Sequence, residues 1–172
     1  HDRTCRPLFS DAASATLITR SQSKSVGPFE LGTDGSGYQD LIVQNSGTKK
    51  HANIERNLLH MDGGAVFMFT MRTVPKVVNN LLKKEKYKIE DIDLFVFHQA
   101  SKLVIDNIKR LLKLPDEKVY ENYQLVGNTV SSSIPIALAQ AKDDNMLKKG
   151  SITMIVGFGV GLSWGATLIR YI

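Results

Sequence analysis

The 172-residue chain carries a single cysteine, Cys5, so no disulfide can close within it. That scarcity speaks against a secreted disulfide scaffold and for a reducing, cytoplasmic compartment. Apolar runs are short: none approaches the ~20 residues a membrane span needs, so no span is expected. The first residues, His1-Asp2-Arg3-Thr4-Cys5-Arg6, are charged and lack a following apolar block, so no secretory signal is read in them. The chain opens on His rather than Met, which suggests a trimmed sequence, a tag remnant or a fragment of something longer. No repeat or low-complexity segment is visible, and no internal linker argues for two domains. The net charge of +5 favours acidic partners. The lysines form no stripe with interleaved aromatics, however, so nucleic acid is not an expected partner. Lys83, Lys84, Lys86 and Lys88 cluster at an expected helix end, where cations suit the macrodipole.

An apolar content of 42% and a charged content of 23% fit one ordinary globular domain spanning residues 1–172. Ala12–Thr19 reads as a strand of small and β-branched residues, Pro28–Leu31 as a second strand, and residues 44–57 as a loop. A helix is expected from Asp62, its cap, with Val66, Phe69, Val74, Val77, Val78, Leu81 and Leu82 at helical spacing. Pro75 predicts a break or kink inside it. Ile92–Phe97 reads as a buried strand. A helix follows from Ser101, with Leu103, Val104, Ile108, Leu111 and Leu112 on one face, and Pro115 stops it. Val119–Tyr123 reads as a brief strand. Ser131 or Ser132 caps a helix over Ile134 to Ala141, and Ser151–Val156 and Trp164–Tyr171 form an antiparallel hairpin. The order β-α-(β)-α-β-β predicts a helix-covered sheet, mostly parallel with one antiparallel edge.

Three short segments at these junctions carry chemistry: Phe97-His98-Gln99-Ala100, Gly127-Asn128-Thr129 and Gly157-Phe158-Gly159-Val160-Gly161. Taken alone, His98 reads either as a helix-capping residue or as a hydrogen-bond donor and proton carrier near neutral pH. Asn128 reads either as turn chemistry or as an amide donor to a carbonyl. The glycine segment does not match dinucleotide spacing, and a strand follows it rather than a helix. It reads either as a bulged hairpin or as a turn that points backbone N–H groups at an oxyanion. The three together lack a nucleophile.

In this order and spacing, with Asn128 continued as Thr129-Val130-Ser131-Ser132-Ser133-Ile134-Pro135 and the glycine segment as Leu162-Ser163-Trp164-Gly165, they resemble the C-terminal half of a β-ketoacyl-acyl carrier protein synthase III. Leu8-Phe9-Ser10-Asp11-Ala12-Ala13 and Met61-Asp62-Gly63-Gly64-Ala65-Val66-Phe67 resemble two further segments of that family. The resemblance implies an α/β, thiolase-like half with a five-stranded mixed sheet covered by helices. It implies a decarboxylating condensing enzyme, an acyltransferase that joins an acyl group from acyl-coenzyme A to malonyl-acyl carrier protein in fatty-acid or related synthesis. It implies no metal and no cofactor, an acyl carrier protein as partner, and a homodimer in the intact protein. His98 and Asn128 match the pair that stabilises the malonyl-derived enolate, and Gly159, Val160 and Gly161 match the loop of a second oxyanion hole. Lys102, Lys109 and Arg110 match the place of basic residues that dock the carrier protein, and equally read as a solvated helix face.

The chain departs from the family pattern in three places. The family's nucleophilic cysteine belongs to an N-terminal half that these residues do not contain, and Cys5 reads as a structural thiol. The isolated chain is therefore expected to be inactive. Val160 stands where the family has glycine, although valine tolerates fewer backbone angles. Ser101 stands where the family often has asparagine. The alternative to an enzyme half is a non-catalytic module that docks a carrier protein or a catalytic partner.

Overall fold

The computed structural model describes residues 5–46 and 58–172. Four strands form the main sheet: β1 (Val26–Thr33), β4 (Leu94–Phe97), β5 (Ile152–Gly159) and β6 (Ser163–Arg170). Their spatial order is β1-β6-β5-β4, and a separate ribbon pairs β2 (Leu41–Val43) with β3 (Leu59–Met61). All four residues of β4 are buried. This fits a strand covered on both faces, and its alternation divides them. Phe95 and Phe97 join a core cluster with the helix α1 (Gly63–Glu85) and the helix α2 (Lys102–Leu112). Leu94 and Val96 join a second cluster with Ala137 and Ala141 of α4 (Ser133–Asp143) on the opposite face. The architecture is a helix-covered mixed α/β sheet.

Local chemistry sets the helix ends. Asp62 caps α1 by accepting from the Ala65 N–H at 2.9 Å, and Lys86 closes it in a left-handed conformation at φ 60. Lys83 and Lys84 fill its last turn, as the lysine cluster predicts. Of the break or kink expected at Pro75, the break does not occur, and α1 runs on for 23 residues. Pro75 removes one backbone bond and disfavours helix by about 3 kcal/mol. The buried row Phe69, Val74, Val77, Val78, Leu81 and Leu82 spans both sides of the proline and holds the helix together against the sheet. In α2 the buried seam is Ile105, Ile108 and Leu112, whereas Leu103 and Leu111 are exposed. The predicted face was thus rotated from the true one.

The sheet departs from the sequence reading in strand count and direction. The fifth place, beyond β4, is held by Val119 alone, which bridges Phe95 in parallel while Tyr120 N–H donates to the Phe95 carbonyl at 3.0 Å. Gln99 and the short helix α3 (Tyr123–Val126) take over the following residues, so the predicted strand Val119–Tyr123 shrinks to one bridge. Ala12–Thr19 forms no strand and is exposed, with Leu17 at 89% and Ile18 at 85%. Among the described residues nothing pairs with its backbone as a strand. Among the described strands only the β4–β5 pair is parallel, and both β5–β6 and β1–β6 are antiparallel. A direct hairpin between β5 and β6 permits no other direction. Of the loop expected at 44–57, residues 47–57 lie outside the described residues.

Candidate active site

β4 delivers His98. The His98 N–H donates to the Val156 carbonyl at 2.8 Å, continuing the strand pairing by one residue. Gln99 then turns inward and is fully buried. Its Nε2 donates to the Phe97 carbonyl at 2.8 Å and its Oε1 accepts from the Asn122 N–H at 2.9 Å. These bonds lock the backbone on which the imidazole stands. The His98 Nδ1 lies 2.7 Å from the Ser133 Oγ at the first turn of α4, and the ring meets Phe158 edge-on at 5.4 Å. Burial pushes the imidazole pKa down to about 4, so the ring is neutral at ordinary pH.

Asn128 is placed from both directions. Its N–H donates to the Leu8 carbonyl and its carbonyl accepts from the Ser10 N–H, each at 3.0 Å, which makes Phe9 and Asn128 a parallel bridge. Gly127 turns the chain into this bridge at φ 66, and a Cβ there would approach the Ser10 Oγ to 2.9 Å. The Asn128 Oδ1 accepts from the Val130 N–H at 2.9 Å, which leaves Nδ2 as the group available to a ligand. Val130 reaches that bond with φ 54, a conformation that strains a β-branched residue by roughly 1–2 kcal/mol. Strain of this kind accompanies sites where the side-chain aim matters more than local stability.

His98 and Asn128 line one cavity of about 690 Å³ whose other walls are largely apolar, among them Leu31, Val104, Phe158 and Trp164. Gly159 and Val160 line it too, whereas Gly161 does not. Of the glycine segment, Gly157 to Gly159 belong to β5, and only Val160 to Leu162 turn. Val160 is not among the residues with positive φ, so valine fits the place the family gives to glycine. Its side chain is 65% exposed at the cavity rim. Gly161 takes φ 136, where a Cβ would lie 2.2 Å from the Ser163 Oγ. The turn requires glycine there and tolerates valine beside it.

The three basic residues lie apart from this cavity and differ in freedom. Lys102 is exposed and pairs with Asp106 at 2.8 Å, and Arg110 donates to the Asn107 Oδ1 at 2.7 Å. Lys109 is only 15% exposed and is met by Asp106, Asp116 and Glu121. Burial would lower its pKa, but hydrogen bonds to Glu121 and Asp116 and their charges outweigh that and raise it. Cys5 is buried and does not line the cavity. Sequence reasoning singled out His98, Asn128 and the turn as candidates and passed over Ser133, which meets the His98 ring. The available signal was a small hydroxyl residue at the start of a helix, which the sequence also offers at positions 131 and 132. Only the fold says which of the three meets the histidine.

The mixed sheet covered by helices shares the thiolase-like class of α/β fold with the solved 3-oxoacyl-(acyl-carrier-protein) synthase III structures it matches. Within it, the chain belongs to the 3-oxoacyl-[acyl-carrier-protein] synthase III C-terminal family, whose model matches residues 82–171. It is similar to the beta-ketoacyl-[acyl-carrier-protein] synthase III of Clostridium perfringens, with 38% identity over 98% of this chain and 54% of that protein. Among solved structures it resembles a 3-oxoacyl-(acyl-carrier-protein) synthase III, with 35% identity, a TM-score of 0.91, and 96% of this chain and 54% of that one covered. The Aquifex aeolicus enzyme of the same name is 34% identical, with a TM-score of 0.86, covering 99% of this chain and 52% of that one. The chain thus spans about half the length of the curated relatives it matches.

Proposed function

We propose that the chain supplies the enolate-stabilising half of a decarboxylating condensing enzyme, an acyltransferase of fatty-acid or related lipid synthesis. The observation that carries this reading is the pairing of a neutral imidazole with an oriented amide on one apolar cavity. The imidazole is uncharged, and the Asn128 Nδ2 is an uncharged donor. A malonyl thioester held there would lose CO₂ as its C–C bond breaks, leaving the electron pair on the α-carbon and negative charge on the thioester oxygen. His98 Nε2–H and Asn128 Nδ2–H would hold that oxygen. The apolar walls exclude water and strengthen both bonds. The resulting carbanion would attack an acyl thioester, and the thiolate would leave.

The acyl group would come from acyl-coenzyme A and be held on a cysteine supplied from outside these 172 residues. The loop at Gly159 and Val160, with the nucleophile's own N–H, would hold the oxygen of that acyl group, and Gly161 would shape its turn. No cofactor is needed for these steps. By itself the chain would be inactive, and the intact protein would be a cytoplasmic homodimer. Its acidic carrier protein would dock beside α2 on Lys102 and Arg110, because Lys109 is already met by three carboxylates. The test is to join the chain to a nucleophile-bearing N-terminal half and assay malonyl decarboxylation. Removing one such donor lowers kcat by about 100- to 1,000-fold. His98→Ala should do so, and unchanged turnover would overturn the assignment.

A further inference from the structure

The 2.7 Å contact between the His98 Nδ1 and the Ser133 Oγ can be made in two ways. Either the hydroxyl donates to Nδ1, which places the ring proton on Nε2, or Nδ1–H donates to the hydroxyl, which leaves Nε2 a bare acceptor. The surroundings decide between them. Ser133 is buried, at 1% exposure, and His98 is the one partner described for its side chain. In the second arrangement the serine proton would have no protein acceptor among the described residues and, at 1% exposure, only slight access to the cavity that Ser133 also lines, a costly state for a buried hydroxyl. In the first arrangement every group is used. The serine proton goes to Nδ1, and the ring proton on Nε2 is left for a ligand or water of the cavity that His98 lines. The neutral ring, held so by burial, makes the choice of tautomer meaningful, since a charged ring would donate from both nitrogens.

We infer that Ser133 is a positioning residue that fixes His98 in the Nε2–H tautomer, so that the imidazole meets its ligand only as a hydrogen-bond donor. The place is secure because Ser133 opens α4 and His98 continues β4, and α4 packs on β4 through Ala137, Ala141, Leu94 and Val96. The value of a donor here rests on the condensing reading above, whereas the tautomer itself does not.

The experiment is long-range ¹H–¹⁵N correlation of the labelled chain at neutral pH, with the His98 signal identified by its loss in His98→Gln. A protonated, pyrrole-like Nε2 and a pyridine-like Nδ1 are expected, and a pyrrole-like Nδ1 would overturn the inference. Ser133→Ala should give a mixture of tautomers and Ser133→Thr should restore one. An unchanged spectrum in the alanine variant would equally overturn it. Should the alanine variant fail to fold, the parent chain and the threonine variant still decide the matter. In the reconstituted enzyme, Ser133→Ala should lower kcat for decarboxylation roughly tenfold or more with little change in KM, as loss of a ligand-orienting partner does elsewhere. A shifted tautomer with full decarboxylation would leave the tautomer assignment standing and sink the condensing role of His98.

Discussion

The His98 ring is enclosed by Ser133 at one nitrogen and the edge of Phe158 at its side, and burial brings its pKa from 6.5 to about 4. An unfolded chain titrates at the higher value. Between the two values the unfolded state therefore binds a proton that the folded state refuses, so stability falls as pH falls. The loss is absent above pH 6.5 and complete below about pH 4, and amounts to about 3 kcal/mol. Urea midpoints at pH 7.5 and pH 4 should show it in the parent chain and not in His98→Gln. An equal acid loss in both would contradict it. At this scale the sequence was informative about identity and silent about state. His98 and Asn128 were visible as candidates because of their place next to an apolar run and a glycine. That one is neutral and the other aimed by the strained Val130 depends on atoms brought in from β5, α4 and the Leu8–Ser10 segment.

Among the elements, the β5–β6 hairpin shows how little freedom the site's scaffold has. Gly161 sits at φ 136 with no room for a Cβ against Ser163. Gly161→Ala should destabilise by roughly 1–3 kcal/mol and disturb the turn that carries Val160. Val160→Gly, by contrast, should shift stability by less than about 1 kcal/mol, since Val160 is exposed and holds no positive φ. Chemical denaturation of the two variants would check the contrast. Elements marked by strong local signals were legible, including the Asp62 cap, the Ser101 cap, the buried β4 and the hairpin. The misreadings share a cause. Pro75 argued for a break, yet the buried row on either side of it binds the helix to the sheet more strongly than one proline opposes it. In α2 apolar residues stand on two faces, and Leu103 lines the cavity rather than the core, so periodicity alone chose the wrong seam.

On the scale of the whole molecule, apolar side chains remain exposed where a protein of this size would normally cover them. Leu17 and Ile18 lie on the extended segment that was expected to be a strand, and Leu31, Leu103 and Val160 lie around the cavity. Such surface favours association. Light scattering of the purified chain should therefore show a mass that rises with concentration, and Leu17→Lys with Ile18→Lys should lessen it. A monodisperse monomer across the range would contradict the expectation. The 172 residues determined by themselves that a mixed α/β sheet would form, where its principal helices begin, and which imidazole, amide and glycine turn would stand at its edges, because local spacing, caps and turn residues are properties of neighbours along the chain. Only the tertiary structure decided that the fifth sheet position is a single bridge, that α1 survives its proline, that Lys109 is held by three carboxylates and that Ser133 faces His98. Those outcomes depend on groups far apart in sequence meeting in space, and no local pattern records which of several similar residues will meet.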